Sequence, residues 1–280
     1  MEDIRNLATT YAYNILGSYE DAKDIVQDAY LKLSNTAAEA IENKKAYFIR
    51  TVINLSINFK KKQKKIISQY PGEWLPEPVV TETADAPITR KEILSYSLMV
   101  LLEKLNAKQR AVFILKEAFD YDHKEIAEVL HITEENSRKI YSRAKRELKE
   151  SKPIDSTIVP ADYLDKYIEV IYNADVKRLE NLLQQDIIVI SDGGGKVSAA
   201  THPVSGKLHA IKFILGLIKK FYTGNNIRIE KTFINHHPAL LYYKDDELSN
   251  CQVFNFENGH ISGIYFIRNP DKLKSLENKS

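Results

Sequence analysis

Cysteine is nearly absent from this 280-residue sequence: Cys251 stands alone, which excludes an intramolecular disulfide and a cysteine-rich zinc site. Ten glycines and nine prolines are too few for a collagen-like or low-complexity chain. Long apolar runs are missing as well. The windows around Ala210 to Ile218 and Ile261 to Ile267 fall short of the ~18 uncharged residues a membrane helix needs, so no membrane partner is expected. Met1-Glu2-Asp3-Ile4-Arg5 places acids where a secretory signal has a basic start, and no apolar stretch with a cleavage site follows; a cytoplasmic location is expected. Net charge is only +2, from 40 basic and 38 acidic residues, so no overall field points to nucleic acid.

What is present is charge segregated along the chain. Phe59 to Lys65 reads FKKKQKK, five lysines without an acid, whereas Glu20 to Asp28 carries four acids against Lys23 alone. Taken alone, the lysine run is a solvated helix end; together the two segments suit a protein that meets an anionic partner and a basic one with different surfaces. Apolar residues Leu7, Tyr11, Ile15, Ile25, Ala29 and Leu33 recur at three- and four-residue steps with a break at Gly17-Ser18, which predicts two amphipathic helices, the second capped by Ser18. A third helix is predicted from Lys45 to Lys64, with Phe48, Val52, Leu55 and Phe59 on one stripe.

From Ser68 to Thr89 four prolines remove amide donors and favour extended backbone, the composition of a linker. It holds the only tryptophan, Trp74, beside Tyr70 and Leu75, more apolar surface than a passive spacer uses. Four helices are expected between Lys91 and Lys149, then a second linker after Ser151-Lys152-Pro153. Beyond Ala161 the pattern becomes α+β. Helices are predicted at Ala161 to Asn173, Val176 to Gln184 and Gly206 to Phe221, with an apolar run at Ile187 to Ile190. Four antiparallel strands follow at Ile227 to Ile234, Ala239 to Lys244, Cys251 to Glu257 and His260 to Ile267, with Asn258-Gly259 as a tight turn.

Asp120 to Leu148 reads as a helix-turn-helix. Ile126, Ala127 and Leu130 bury one helix, Ile132 enters the turn, and Ser137, Ile140, Tyr141, Ala144 and Leu148 line the buried stripe of the next, with Thr133 as its N-cap. The opposite face carries Asn136, Arg138, Lys139, Ser142, Arg143, Lys145 and Arg146. Arg pairs with guanine in a fork, Asn does so with adenine, and Lys and Ser suit phosphates, so this face fits a major groove.

These residues carry a resemblance. LNAKQRAVFILKEAFDYDHKEIAEVL before the turn, with Arg143-Ala144-Lys145 after it, resembles region 4 of a bacterial RNA polymerase sigma factor of the extracytoplasmic-function class. DAKDIVQDAYLKL, Asp21 to Leu33, and KKAYFIRTVINLSINFKKKQKK, Lys44 to Lys65, resemble its region 2. The resemblance implies that Asp21, Asp24, Gln27 and Asp28 dock on the polymerase core, at a β′ coiled coil with β as a further contact. It implies that Asn54, Lys60, Lys61 and Lys62 serve the minus-ten element of promoter DNA. The loop from Asn35 to Lys45 is where that family captures a base, and Asn136, Arg138, Lys139, Ser142, Arg143 and Arg146 would read the minus-thirty-five element. His131 stands in the turn where the family commonly has Gly; His tolerates positive φ well enough for the turn to form.

The chain continues for about 130 residues beyond this resemblance, and the continuation resembles a SnoaL-like domain, a cone-shaped α+β fold with an interior pocket. Trp74-Leu75-Pro76-Glu77-Pro78, Asp192-Gly193-Gly194-Gly195-Lys196 and Asn269-Pro270-Asp271-Lys272-Leu273 look like the hallmarks of the sigma subfamily fused to such a domain. There the extension is implied to modulate activity by contacting the sigma core and its linker. The expected organisation is multidomain: region 2 over residues 1–67, a linker over 68–90, region 4 over 91–150, a second linker over 151–160 and the α+β domain over 161–280. Asp192 with His202, His209, His236 or His237 offers only a weak acid-base set, so no enzyme, cofactor or metal is expected. A small-molecule ligand in the pocket is left open. The alternative function is a one-component, ligand-sensing DNA-binding regulator, against which the acidic and lysine-rich helices both argue.

Overall fold

The computed structural model describes residues 2–35, 43–81, 92–149, 162–221 and 226–277. The base-capture loop and the second linker expected from the sequence lie outside the described residues, apart from the loop's edges. The chain divides into two compact units, Met1–Gln69 with Thr83–Pro153, and Tyr70–Glu82 with Ile154–Ser280. The proline-rich segment is therefore split, its first part belonging to the second unit.

The first unit is all helical. Helices α1 (Glu2–Leu16), α2 (Tyr19–Ser34) and α3 (Lys44–Ile67) pack around Ala8, Ile15, Leu16, Ala22, Val26, Ala29, Val52 and Ile53. Ser18, in extended backbone, accepts from the Asp21 amide at 3.2 Å and starts α2. After the linker come α4 (Tyr96–Leu101), a 3-10 turn at Leu102–Lys104, α5 (Ala107–Glu117), α6 (His123–Leu130) and α7 (Glu134–Lys149). Helices α5 and α6 each start with a reciprocal capping box, Asn106 with Gln109 and Asp122 with Glu125, which satisfies two orphan amides at each N-terminus. Among the described residues no helix is long and apolar enough to cross a membrane.

The second unit contains α8 (Tyr163–Tyr172), α9 (Val176–Leu182), α10 (Lys207–Phe221), α11 (Pro270–Glu277) and strands β1 (Leu183–Asp192), β2 (Val204–Ser205), β3 (Ile227–Ile234), β4 (His237–Lys244), β5 (Glu247–Glu257) and β6 (His260–Ile267). The sheet order is β2-β1-β6-β5-β4-β3. Strands β3 to β6 form the expected antiparallel meander, but β1 lies parallel to β6, so the sheet is mixed. Each hairpin turns on two residues at positive φ: Asn235-His236, Asp245-Asp246 and Asn258-Gly259. Only the last contains glycine; β4 starts at His237 and β5 at Glu247, ahead of the Ala239 and Cys251 that their hydrophobic patterns indicate.

Alternation along the strands gives the sheet two faces. Leu240, Tyr242, Phe254, Phe256, Ile264 and Phe266 share one buried core with Tyr167, Val170 and Ile171 of α8 and Ala210, Ile211 and Ile214 of α10. Asp192 is in register with Ile267, on the opposite face from Phe266. Helix α11, which sequence periodicity did not reveal, packs against β5. Residues Val79 to Thr81 extend the edge at the end of β3, through Asn235 N to Val79 O at 2.9 Å and Thr81 N to Phe233 O at 2.9 Å.

Candidate functional site

Helix α2 buries Ala22, Ile25, Val26 and Ala29, and this periodicity forces the intervening residues outward. Asp24, Gln27 and Asp28 are exposed on one stripe, and Leu31, three residues past Asp28, continues it. Asp21 is placed differently. It is half-buried and accepts from Gln63 Nε2 of α3 at 3.3 Å, and burial raises its pKa above the usual carboxylate range.

Helix α3 divides the lysines that the sequence presents as a set. Lys61 and Lys62 are exposed. Lys60 is only 6% exposed, because it lies three and four residues past the buried Ile57 and Ser56 and so falls on the inner stripe. Its ammonium donates to Leu16 O at 2.8 Å and to both Glu103 oxygens at 2.9 and 3.1 Å. The expectation that Lys60 is presented to DNA is corrected here: in this conformation it is an internal cation. Asn54 is half-buried and its Nδ2 donates to Arg50 O and to Val129 O of α6, both at 2.9 Å.

The helix-turn-helix is built as its sequence requires. His131 takes a left-handed conformation, φ 52 and ψ 54, at the end of α6, and Thr133 Oγ1 accepts from Asn136 N at 3.2 Å to cap α7. Ser137 is buried and its Oγ lies 2.9 Å from His123 Nδ1, joining the two helices; burial, then Arg138 and Lys116, lower the His123 pKa. Asn136, Arg138, Lys139, Ser142, Arg143 and Arg146 are all exposed. Arg138 pairs with Glu134 at 2.5 Å and Lys139 with Glu135 at 2.6 Å, exposed i,i+4 pairs of the kind that contribute little to stability.

In the second unit the three motifs meet at one carboxylate. Asp192 is 1% exposed. Its Oδ1 accepts from Tyr70 OH at 2.6 Å and Gly194 N at 2.9 Å, and its Oδ2 from Leu75 N at 2.9 Å and Lys272 Nζ at 2.6 Å. Lys272 also donates to Leu75 O and lies 4.0 Å from the centre of the Trp74 ring, within cation-π range. Asn269 donates to Tyr70 OH at 3.0 Å, and Lys196 pairs with Asp271. The glycines are demanded by crowding: Gly194 and Gly195 have φ of +64 and +71, and an added Cβ would stand 2.5 Å from Asn269 and 2.6 Å from Pro71. Leu75, Pro76, Glu77, Pro78 and Leu273 are buried around this grip, and Pro270 is exposed at the start of α11.

The family model for Sigma-70 region 2 matches residues 1–66 and that for Sigma-70, region 4 matches residues 95–148. The ECF RNA polymerase sigma factor SigJ of Mycobacterium tuberculosis is 27% identical over 97% of this chain and 91% of its own length. The chain belongs to the extracytoplasmic-function class of the sigma-70 family. The probable sigma factor SigI of the same organism is 23% identical over 95% of the chain and 90% of its own length. The crystal structure of SigJ superposes with a TM-score of 0.78 at 26% identity, covering 98% of this chain and 97% of that one, so the likeness extends through the α+β unit.

As a member of this class the protein is an alternative sigma factor, acting in transcription initiation with RNA polymerase core and promoter DNA. Nothing in the comparisons favours a one-component ligand-sensing regulator. Sequence reasoning missed how this sigma factor joins its two helical regions. Arg110, fully buried, pairs with Glu103 and donates from Nε to Asn14 O at 3.0 Å. Burial alone would raise the Glu103 pKa, but Arg110 and Lys60 outweigh it and hold the carboxylate below its ordinary value. Tyr11 stacks on Phe119 with ring centres 3.7 Å apart. An arginine and a glutamate seven residues apart on a helical stretch carry no sign of this burial in sequence.

Proposed function

We propose that this sigma factor works in the cytoplasm as a self-regulated initiation factor. The exposed Asp24, Gln27 and Asp28 stripe, with Asp21 behind it, seats the chain on the β′ subunit of polymerase, with β as a second contact. Asn54, Lys61 and Lys62 serve the minus-ten strand, and the exposed face of α7 reads the minus-thirty-five element. The α+β unit performs no chemistry; it regulates by gripping the segment that tethers region 2 to region 4.

The observation that carries the regulatory part is the fourfold coordination of Asp192. Among the described residues every hydrogen bond of its carboxylate goes to the linker, to the glycine loop or to Lys272 of α11, and none to a histidine. That arrangement supports a clasp on the linker and leaves no acid-base pair on Asp192. A tether pinned along residues 70–81 cannot extend freely, so the grip controls how far region 2 and region 4 separate. The test is run-off transcription with purified core polymerase: the chain alone should start RNA chains, and Asp192→Ala and Trp74→Ala should change the yield. Wild-type yield from both variants removes the clasp; no initiation by any form removes the whole assignment.

A further inference from the structure

From Gly193 to Ile229 the chain has no aspartate or glutamate, yet it carries five lysines and an arginine. Helix α10 lies inside this stretch. Ala210, Ile211 and Ile214 face the core of the α+β unit. The residues that the helical period turns outward, Leu208, His209, Lys212, Gly216, Lys219 and Lys220, are all exposed. On the neighbouring helices exposed cations have an acid close by in sequence: Lys166 pairs with Asp162 at α8, and Arg178 with Asp175 at α9. Helix α10 contains no acid, and Lys212 forms no ion pair among the described residues. Lys219 and Lys220 suit the negative C-terminal end of the helix, but Lys212, in its middle, gains nothing from that end.

Gly216 is the second observation. Only proline is a poorer helix former, and none of glycine's usual uses applies within the unit. Its backbone is ordinary helix, and a Cβ placed on it would meet nothing within 4 Å. Neither a turn nor internal packing requires it, so what the missing side chain provides is close approach to the backbone from outside. It stands between Lys212 and Lys219, which are about 10 Å apart along the axis.

We propose that this face of α10 seats the phosphate backbone of duplex DNA, with Gly216 at the point of closest approach and Lys212 and Lys219 on separate phosphates to either side. A protein partner would find few anchors, because interfaces favour large aromatic side chains and arginine and are depleted in lysine. A bilayer would meet only the polar side, since the apolar side of α10 is spent on the core. Phosphates suit lysines, and the class to which the chain belongs acts on promoter DNA. The exposed arc holds no arginine, asparagine or glutamine, so the contact adds affinity without reading sequence. Helix α10 packs on the face of the sheet opposite Asp192, and the contact is therefore independent of the clasp.

The test uses the full chain, fluorescent duplexes of cognate and scrambled sequence, and binding isotherms at several salt concentrations. Lys212→Gln combined with Lys219→Gln should weaken binding to both duplexes alike and lower the salt slope by about 2, one for each phosphate. Gly216→Gln should raise the urea midpoint, because glutamine is the better helix former, yet weaken duplex binding severalfold. A packing role would not move stability and affinity in opposite directions. Lys166→Gln combined with Lys177→Gln removes the same charge from α8 and α9 and should leave the slope as in the wild type. A wild-type slope in the α10 double variant, wild-type affinity in Gly216→Gln, or an equal loss in the α8 and α9 control each overturns the docking face. Wild-type duplex binding with weakened binding to core polymerase would place a protein on α10 and overturn the DNA assignment.

Discussion

Lys272 Nζ lies 2.6 Å from Asp192 Oδ2, with the Asp192 side chain fully buried and that of Lys272 10% exposed. The two partners are not equivalent. Asp192 accepts from three further donors, whereas the contacts Lys272 keeps once the carboxylate is gone include the Leu75 carbonyl and the Trp74 and Tyr70 rings, none of which carries a full negative charge. Asp192→Ala should therefore destabilise the second unit by about 3–5 kcal/mol, the range for breaking a buried pair, and Lys272→Met by less. Trp74 is the only tryptophan and sits in the grip, so urea unfolding followed by its fluorescence measures both. Equal losses would show that the hydrogen bonds to Tyr70, Leu75 and Gly194 contribute nothing.

Gly194→Ala tests the glycine loop. The left-handed backbone and the crowding against Asn269 together should cost about 1–3 kcal/mol and displace the amide that donates to Tyr70. A loosened linker exposes Leu75, which is 1% accessible in the closed grip and donates its amide to Asp192. Hydrogen exchange of the Leu75 amide should accelerate in the variant; exchange at the wild-type rate means that the loop does not hold the linker.

The helices and the meander were legible because each writes its period into the apolar pattern: Phe48 and Val52 in α3, Ile126 and Leu130 in α6, Phe254 and Phe256 in β5. The helix-turn-helix cap at Thr133 and the left-handed turn at His131 were legible from local chemistry. Long-range ionic contacts were not. The helical period puts Lys60 and not Lys61 on the inner stripe, but a lysine there is not given a buried role until Glu103, forty and more residues on, supplies its counter-charge. Helix α11 was obscured because its exposed residues, Pro270, Asp271, Lys274 and Glu277, outnumber its buried apolar pair, Leu273 and Leu276. The parallel pairing of β1 with β6 is a matter of topology, and a run of alternating residues says nothing about which neighbour it acquires.

His237 makes the second unit sensitive to acid. The ring is buried, lies 3.1 Å from Phe254 O through Nδ1, and burial lowers its pKa from 6.5 to about 4. The unfolded chain therefore binds the proton first: between pH 6.5 and about 4 it takes up a proton that the folded form excludes, and stability falls as pH falls. The loss over that window should approach about 3 kcal/mol. Denaturant midpoints at pH 7 and pH 4.5 should differ by a smaller margin in His237→Gln than in the wild type; an identical pH dependence would remove His237 as the cause.

On α7, Arg143 and Lys139 separate two kinds of contact. Arg143→Ala should cost about 1–3 kcal/mol on a cognate minus-thirty-five duplex and relax discrimination at one base pair, if its guanidinium reads an edge. Lys139, already paired with Glu135, suits a phosphate, and its replacement should weaken binding to all duplexes alike and lower the salt slope by about 1. Binding isotherms at several salt concentrations, on cognate and scrambled duplexes, distinguish the two. Uniform weakening with a reduced slope in both variants would leave base reading to Asn136 or Ser142.

Leu31 is the residue on α2 whose exposure asks for a partner. It is 54% exposed, on the same stripe as Asp24, Gln27 and Asp28. Acids on the rim of an interface steer association and are screened by salt, whereas an apolar side chain at its centre holds the complex and is indifferent to salt. If this stripe seats the sigma factor on core polymerase, Leu31→Ala should weaken the complex by about 1–2 kcal/mol, the value of burying its exposed half, and by the same amount at low and high salt. Asp28→Asn should weaken it at low salt and lose its effect as salt rises. Titrating labelled sigma factor with core polymerase at two ionic strengths reads both. A salt-dependent effect of Leu31→Ala would place the leucine outside the contact, acting only through the charges beside it.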